Sequence, residues 1–235
     1  MPSWAIHLVT AKKLVKIQPI QDKNAFYLGN LLPDIPNGYI IANPSHPIKH
    51  GITHWDREQI IEGKKQIRCQ PELFQEKYQD KMNNPIVLGY YTHILTDYYW
   101  NALTYDNYGI YNEQKERIGL KLKTGNYLCD KDEARKIKTN DFKLYAWHLY
   151  KTNQVQEIHQ PKNILTYLKD LSWLKLQEID IQKTVDYIQE KRQKKDQILE
   201  PEEKNEYQIY SLTEMKQNLE ASIEFILEKG KNITR

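Results

Sequence analysis

Apolar positions near the start of the chain recur with a helical period. Trp4, Leu8, Ala11 and Val15 fall at i, i+4, i+7 and i+11, one continuous stripe that Ser3 is placed to cap. His7 stands inside that stripe beside Leu8, Ala11 and Leu14, which predicts an inward-facing imidazole. A second apolar segment, Ala25 to Leu32, stops at Pro33-Asp34-Ile35-Pro36-Asn37-Gly38, where the prolines and glycine mark a loop. The loop runs on through Asn43-Pro44-Ser45-His46-Pro47-Ile48-Lys49-His50-Gly51-Ile52-Thr53-His54-Trp55. From about Asp56 to Arg68 the pattern reads as helical again, and Pro71 opens a further helix in its first turn.

The strongest element follows. Asn84 is placed to cap it, Pro85 suits the first helical position, and Ile86 to Trp100 is apolar nearly all round. A helix apolar on every side belongs at the centre of a domain. Residues 105–130 show no clear period and read as a long, mostly irregular insertion. Amphipathic patterns resume at about 132–152, 161–173, 178–195 and 211–229, with a charged, solvated connection from Arg192 to Asn205. No internal repeat is evident. The expectation is a single all-α domain over 1–235, with its core in about 1–175 and peripheral helices in about 176–235.

Composition narrows the class. Glycine is scarce, 9 of 235 residues, against the usual ~7%, which disfavours turn-rich all-β architectures. The 34 Lys+Arg and 31 Asp+Glu nearly balance and are interleaved, so there is no strong nucleic-acid signature. Two cysteines make no disulfide framework, and no stretch approaches the ~20 apolar residues of a transmembrane segment. With no signal-peptide pattern at Met1-Pro2-Ser3-Trp4, the expected location is cytoplasmic.

Candidate chemistry centres on His93-Ile94-Leu95-Thr96-Asp97. Four residues make about one turn, so the imidazole and the carboxylate share a helix face. A buried carboxylate costs several kcal/mol unless paired, hydrogen-bonded or bound to a metal. On that pair alone, mutual hydrogen bonding is the simpler reading. Counting His7, Asp34 and one of the loop histidines gives three His and two Asp, an N/O donor set of the kind that holds zinc, manganese or iron. Pro47 and Gly51 interrupt His46, His50 and His54, so these need not share a face; Trp55 favours His54, with His46 and His50 as alternatives. Asp141 reads as a helix-start cap or as an extra acid for the site, His148 as a core residue, and His159 as structural.

Three stretches together resemble the zinc-dependent phospholipase C-like family, whose relatives include bacterial phospholipases C and fungal single-strand nucleases. They are Phe26-Tyr27-Leu28-Gly29-Asn30-Leu31-Leu32-Pro33-Asp34-Ile35, Thr53-His54-Trp55, and Leu88-Gly89-Tyr90-Tyr91-Thr92-His93-Ile94-Leu95-Thr96-Asp97-Tyr98-Tyr99-Trp100. With the early His7 they cover roughly residues 4 to 101. The resemblance implies that Asp34, His54, His93 and Asp97 hold one metal, and that His7 with a bridging Asp97 holds a second. It implies zinc, one or two ions, with manganese or iron as substitutes. The activity implied is metal-dependent hydrolysis of a phosphoric ester, a phosphodiester or a phospholipid, through metal-activated water. Asp97 would hold the metal and Asp34 would also orient the water, the two catalytic assignments.

Two departures bear on this. The secreted relatives begin at a metal-binding Trp, whereas Trp4 here is internal; and the relatives' further site of two His and an acid has no counterpart, since His148 and His159 are followed four residues on by Thr152 and Asn163. The alternative function is therefore a catalytically silent metal-binding or metal-free interaction protein that keeps the fold. An HD-type phosphohydrolase needs an adjacent His-Asp, and the chain has no such dipeptide.

Overall fold

Ile86 to Trp100, the most apolar run, lies within the longest helix of a computed structural model that describes residues 2–61, 63–194 and 206–230. In chain order the elements are α1 (Trp4–Ile17), α2 (Lys23–Gly29), α3 (His50–Thr53), β1 (Asp56–Ile61), β2 (Lys64–Cys69), α4 (Pro71–Tyr78), α5 (Pro85–Tyr108), β3 (Gly109–Tyr111), β4 (Arg117–Leu122) and β5 (Gly125–Leu128). They continue with α6 (Lys131–Lys151), α7 (Ile164–Leu168), α8 (Glu178–Gln193) and α9 (Leu212–Gly230). The architecture is mostly helical, but two small antiparallel sheets, β1-β2 and β3-β4-β5, correct the all-α expectation.

Both sheets fall where the sequence reading went astray. Asp56 to Arg68 is a hairpin rather than a helix. Gln66 and Arg68 are buried while Ile67 between them is 66% exposed, an alternation of period two. Arg68 ion-pairs with Asp106 and donates to Gln66 Oε1 at 2.7 Å, so a polar anchor on α5 decides the conformation against the apolar pattern. The region 105–130 is likewise ordered: α5 continues to Tyr108, and a three-stranded meander follows. Leu120 is its fully buried residue, and Gly125 at φ +121° makes the β4-β5 turn that a side chain would strain.

Other expectations stand or shift in detail. Asn84 Oδ1 accepts from the Ile86 amide at 3.1 Å, the expected cap, and Pro71 and Pro85 occupy first turns. Ser3 occupies the cap position of α1, but its hydroxyl makes no capping bond. The stretch 161–173 divides into α7 and a tight 3-10 turn, Lys169–Leu174. Residues 195–205, most of the charged connection, lie outside the described residues.

Packing centres on α5. Ile86, Val87, Tyr90, Tyr91, Ile94, Leu95 and Trp100 are all buried, and α1, α2, α4 and α9 pack against the helix. Helix α9 lays Phe225 against Tyr98 and Tyr99. The closest approach is made by α2. A Cβ built on Gly89 would stand 2.3 Å from the Phe26 carbonyl oxygen, and one on Gly29 would stand 2.4 Å from the Ile86 carbonyl oxygen. Only glycine at both positions lets the two backbones touch, and that contact brings the end of α2 over the His93 turn of α5. No helix of the described residues is long and apolar enough to cross a membrane.

Candidate metal centre

Four chain segments converge on the His93–Asp97 face of α5. Helix α1 contributes His7, whose inward position follows from its place in the apolar stripe. Asp34 comes from the 3-10 turn Leu32–Asp34 after α2, and His54 caps the end of α3. The exposures of His7, Asp34, His54, His93 and Asp97 are 0, 3, 0, 0 and 1%. The sequence-predicted set is thus brought together and sealed from water.

The imidazole orientations follow from the hydrogen bonds at their Nδ1 atoms. His93 Nδ1 lies 2.8 Å from the Asn30 carbonyl oxygen, an acceptor only, so this nitrogen carries the proton. His54 Nδ1 lies 2.9 Å from Thr53 Oγ1 and 3.2 Å from the His50 carbonyl oxygen. The Thr53 hydroxyl itself donates to the His50 carbonyl and accepts from Asn37 Nδ2, which leaves its other lone pair for a proton on His54 Nδ1. With both Nδ1 atoms donating, both neutral rings present bare lone pairs at Nε2, and these two nitrogens face each other at 3.0 Å. Two lone pairs at that distance repel unless a cation or a proton stands with them.

The carboxylates complete the cluster. Asp97 Oδ2 lies 3.3 Å from His54 Nε2 and 3.7 Å from His93 Nε2, Asp97 Oδ1 lies 3.4 Å from His7 Nε2, and Asp34 Oδ1 lies 3.4 Å from His54 Nε2. These separations exceed the 2.7–3.2 Å of ordinary hydrogen bonds. Accordingly both ring nitrogens of His7, Asp34 Oδ1 and Asp97 Oδ1 are buried with no hydrogen-bond partner. The His7 ring is stacked on His93, with centroids 3.8 Å apart and planes 6° apart.

Burial would push Asp97 up, but contact with His7 and the nearby His93 and His54 hold it well below the usual carboxylate range. Asp34 is lowered in the same way against its burial, chiefly by His54. Burial and the neighbouring His7 depress His93 to about 3, so it stays neutral. His54 goes the other way: burial lowers it, and Asp34 and Asp97 more than compensate. A divalent cation would balance the two ionised carboxylates in place of a proton on His54. The N/O donor set and the orphaned buried atoms fit such an ion. Among the described residues, three groups have donor atoms within 4.8 Å of one another: His7-His93-Asp97, Asp34-His54-His93 and His50-His54-Asp97.

The loop histidines separate clearly. His46 is exposed, while His50 is half-buried, stacked on His54 at 3.7 Å, and bonded through Nδ1 to Asp56 at 3.1 Å. His50 therefore joins His54 rather than replacing it. His148 is half-buried against Tyr145, and His159 is exposed beside Glu157; neither enters the cluster. Asp141 is neither a helix-start cap nor a site acid. It lies within α6, where its carboxylate accepts the amides of Gln208, Ile209 and Tyr210 at 2.9, 2.8 and 3.0 Å and fastens the segment before α9.

Sequence reasoning missed the groups that orient the ligands: Asn30, Thr53 and Tyr90, whose hydroxyl donates to the Thr53 carbonyl. Their adjacency to Gly29, His54 and Gly89 in the quoted stretches was the available signal.

No family model, no curated protein and no solved structure matches this chain.

Proposed function

We propose that the chain is a metal-dependent hydrolase of phosphoric esters, with zinc as the leading ion and manganese or iron as substitutes. The observation that carries the reading is the meeting of the His54 and His93 Nε2 atoms at 3.0 Å, bounded by two carboxylates and orphaned buried atoms. His7, Asp34, His54, His93 and Asp97 would hold one or two ions, with Asp97 able to reach both sides of the cluster. A bound ion would supply Lewis acidity and lower the pKa of a coordinated water. This chain's residues would fix the ligand orientations through Asn30 and Thr53, and Asp34 would orient the water. The resemblance of Gly29-to-Asp34, His54-Trp55 and Gly89-to-Asp97 to the phospholipase C-like pattern supports phosphoric ester as the substrate class.

Metal content and hydrolysis of bis(p-nitrophenyl) phosphate should both fall at least about tenfold in His93→Ala and Asp97→Asn. Unchanged metal and activity in both variants would sink the assignment. The seal over the ligands favours a second reading, a metal-holding interaction protein without turnover. That reading requires full metal content with no hydrolysis of any phosphodiester in excess zinc or manganese.

A further inference from the structure

One to two turns beyond Asp97, α5 meets a second concentration of charge. Asn101 and Tyr105 follow at intervals of four, on a row that winds round α5 away from the His93 face by about 40° per step. Lys138 of α6 reaches this row with only 2% of its surface exposed. Its ammonium donates to Asn101 Oδ1 at 2.7 Å and lies 4.5 Å from the centre of the Tyr105 ring. Arg117 of β4 places its guanidinium carbon 3.9 Å from the same ring centre. Among the described residues no carboxylate pairs with either cation, and the nearest acid on α5, Asp106, is bound to Arg68.

A buried ammonium without a counter-charge costs several kcal/mol, and a second cation against the same phenol adds repulsion. The local field also acts on Tyr105. Burial pushes its phenol up, yet the charges of Lys138 and Arg117, together with the hydrogen bonds both make to its side chain, outweigh this and lower it. Asn101, Tyr105 and Arg117 are each half-buried, so the cluster reaches the protein surface rather than lying wholly in sealed core.

We propose that Lys138, Arg117 and Asn101 form a binding site for a tetrahedral oxyanion, a phosphoryl group above all. Along α5 it stands about 6–12 Å from the Asp97 position, at ~1.5 Å per residue. Two sources present this chemistry: free inorganic phosphate, or a second phosphoryl group on a substrate whose ester lies at the metal centre. The second source rests on the hydrolase reading; the anion site itself does not.

Calorimetric titration of the full chain with inorganic phosphate tests the site. Arg117→Gln and Lys138→Gln should each weaken binding at least tenfold, while His93→Ala should leave it within twofold. If Lys138→Gln does not fold, as judged by its circular dichroism, the half-buried Arg117→Gln decides alone. Absence of phosphate binding by the native chain, or binding indifferent to Arg117→Gln, overturns the proposal. Binding abolished by His93→Ala and kept in Arg117→Gln also overturns it, and leaves the metal reading intact. Arginine-dependent phosphate binding by a chain that takes up no metal supports the site and refutes the hydrolase reading. To separate the sources, KM is compared for thymidine 5'-(p-nitrophenyl phosphate) with and without a 3'-phosphate. A lower KM for the bisphosphate that Arg117→Gln erases supports the site with substrate as source. Equal KM values with arginine-dependent phosphate binding support it with free phosphate as source.

Discussion

Replacing Gly89 by alanine places a methyl group where α2 lies on α5. The new Cβ would stand 2.3 Å from the Phe26 carbonyl oxygen and 2.9 Å from Gly29 Cα, and neither atom belongs to a side chain that can turn aside. Helix α2 must withdraw by about 1 Å to restore ordinary contact, and the Asn30 carbonyl at its end moves with it. That carbonyl is 2.8 Å from His93 Nδ1, and the same displacement takes it out of hydrogen-bonding range. Overpacking costs about 1–3 kcal/mol and the lost buried hydrogen bond about 1–3 more. Alanine's better helix propensity returns about 1 kcal/mol, for a net loss of roughly 3. In a chain of this size that lowers Tm by roughly 6–12 °C. Freed from its bond, the His93 ring loses its aim, so zinc affinity should fall at least about tenfold. Gly51→Ala is the control: its Cβ would meet only the Asp56 side chain at 3.6 Å, and its Tm should stay within about 2 °C of the native value. Thermal unfolding by circular dichroism and zinc content after dialysis read both effects. A Gly89→Ala protein with native Tm and native zinc would refute the idea that this crossing orients His93.

Other expectations concern pH, a distant anchor and the metal. His93 has its folded pKa depressed to about 3, so below the unfolded value near 6.5 only the unfolded chain takes up its proton. The metal-free protein should therefore lose up to about 1.4 kcal/mol per pH unit between roughly pH 6.5 and 3, a slope that His93→Gln removes in urea titrations with chelator present. His54, raised, has its contribution fully present below about 6.5 and loses it as pH rises through its folded value, while Asp34 and Asp97, lowered, lose theirs only as pH falls below about 4. An equal slope in native chain and variant would contradict the assignment. Asp141→Asn should cost about 3 kcal/mol in urea unfolding by turning an amide toward the Gln208, Ile209 and Tyr210 donors; a loss under about 1 kcal/mol would show the anchor to be dispensable. Zinc at about a thousandfold its Kd should stabilise by roughly 4 kcal/mol, so chelation should lower Tm by roughly 8–16 °C, and an unmoved Tm would count against a metal in the buried cluster.

What the sequence revealed of the fold depends on what holds each element. Helices α1 and α8 were legible because their apolar positions carry the helical period themselves, and α5 because an Asn-Pro start opens a run apolar on every side. The β1-β2 hairpin was not, because its buried residues include Gln66 and Arg68 beside Cys69 and its exposed ones include Ile60 and Ile67, the reverse of what hydrophobic patterning assumes. Its conformation is set by Asp106, 38 residues beyond Arg68. No local period carries that information. Asp141 misled for the same reason: its partners lie 67 to 69 residues away, and a cap reading considers only the next turn.

The candidate centre was legible by a different route. Two ligands of the set share one helix face, which spacing alone gives, and His7 declared itself by occupying an apolar stripe. Asp34 and His54 sit in irregular backbone, where spacing says nothing of direction, and ordered motifs had to stand in for geometry. What motifs omit is the support. The Nε2 atoms of His54 and His93 converge because a threonine hydroxyl and a backbone carbonyl have committed both Nδ1 atoms, and that carbonyl is in place because two glycines let α2 and α5 touch. Sequence thus names the donors, while their lone pairs are aimed by neighbours whose own chemistry is unremarkable. It follows that a change at Gly89, which binds nothing, should disturb metal affinity more than a change at His46, which carries a ligand group but is exposed to solvent.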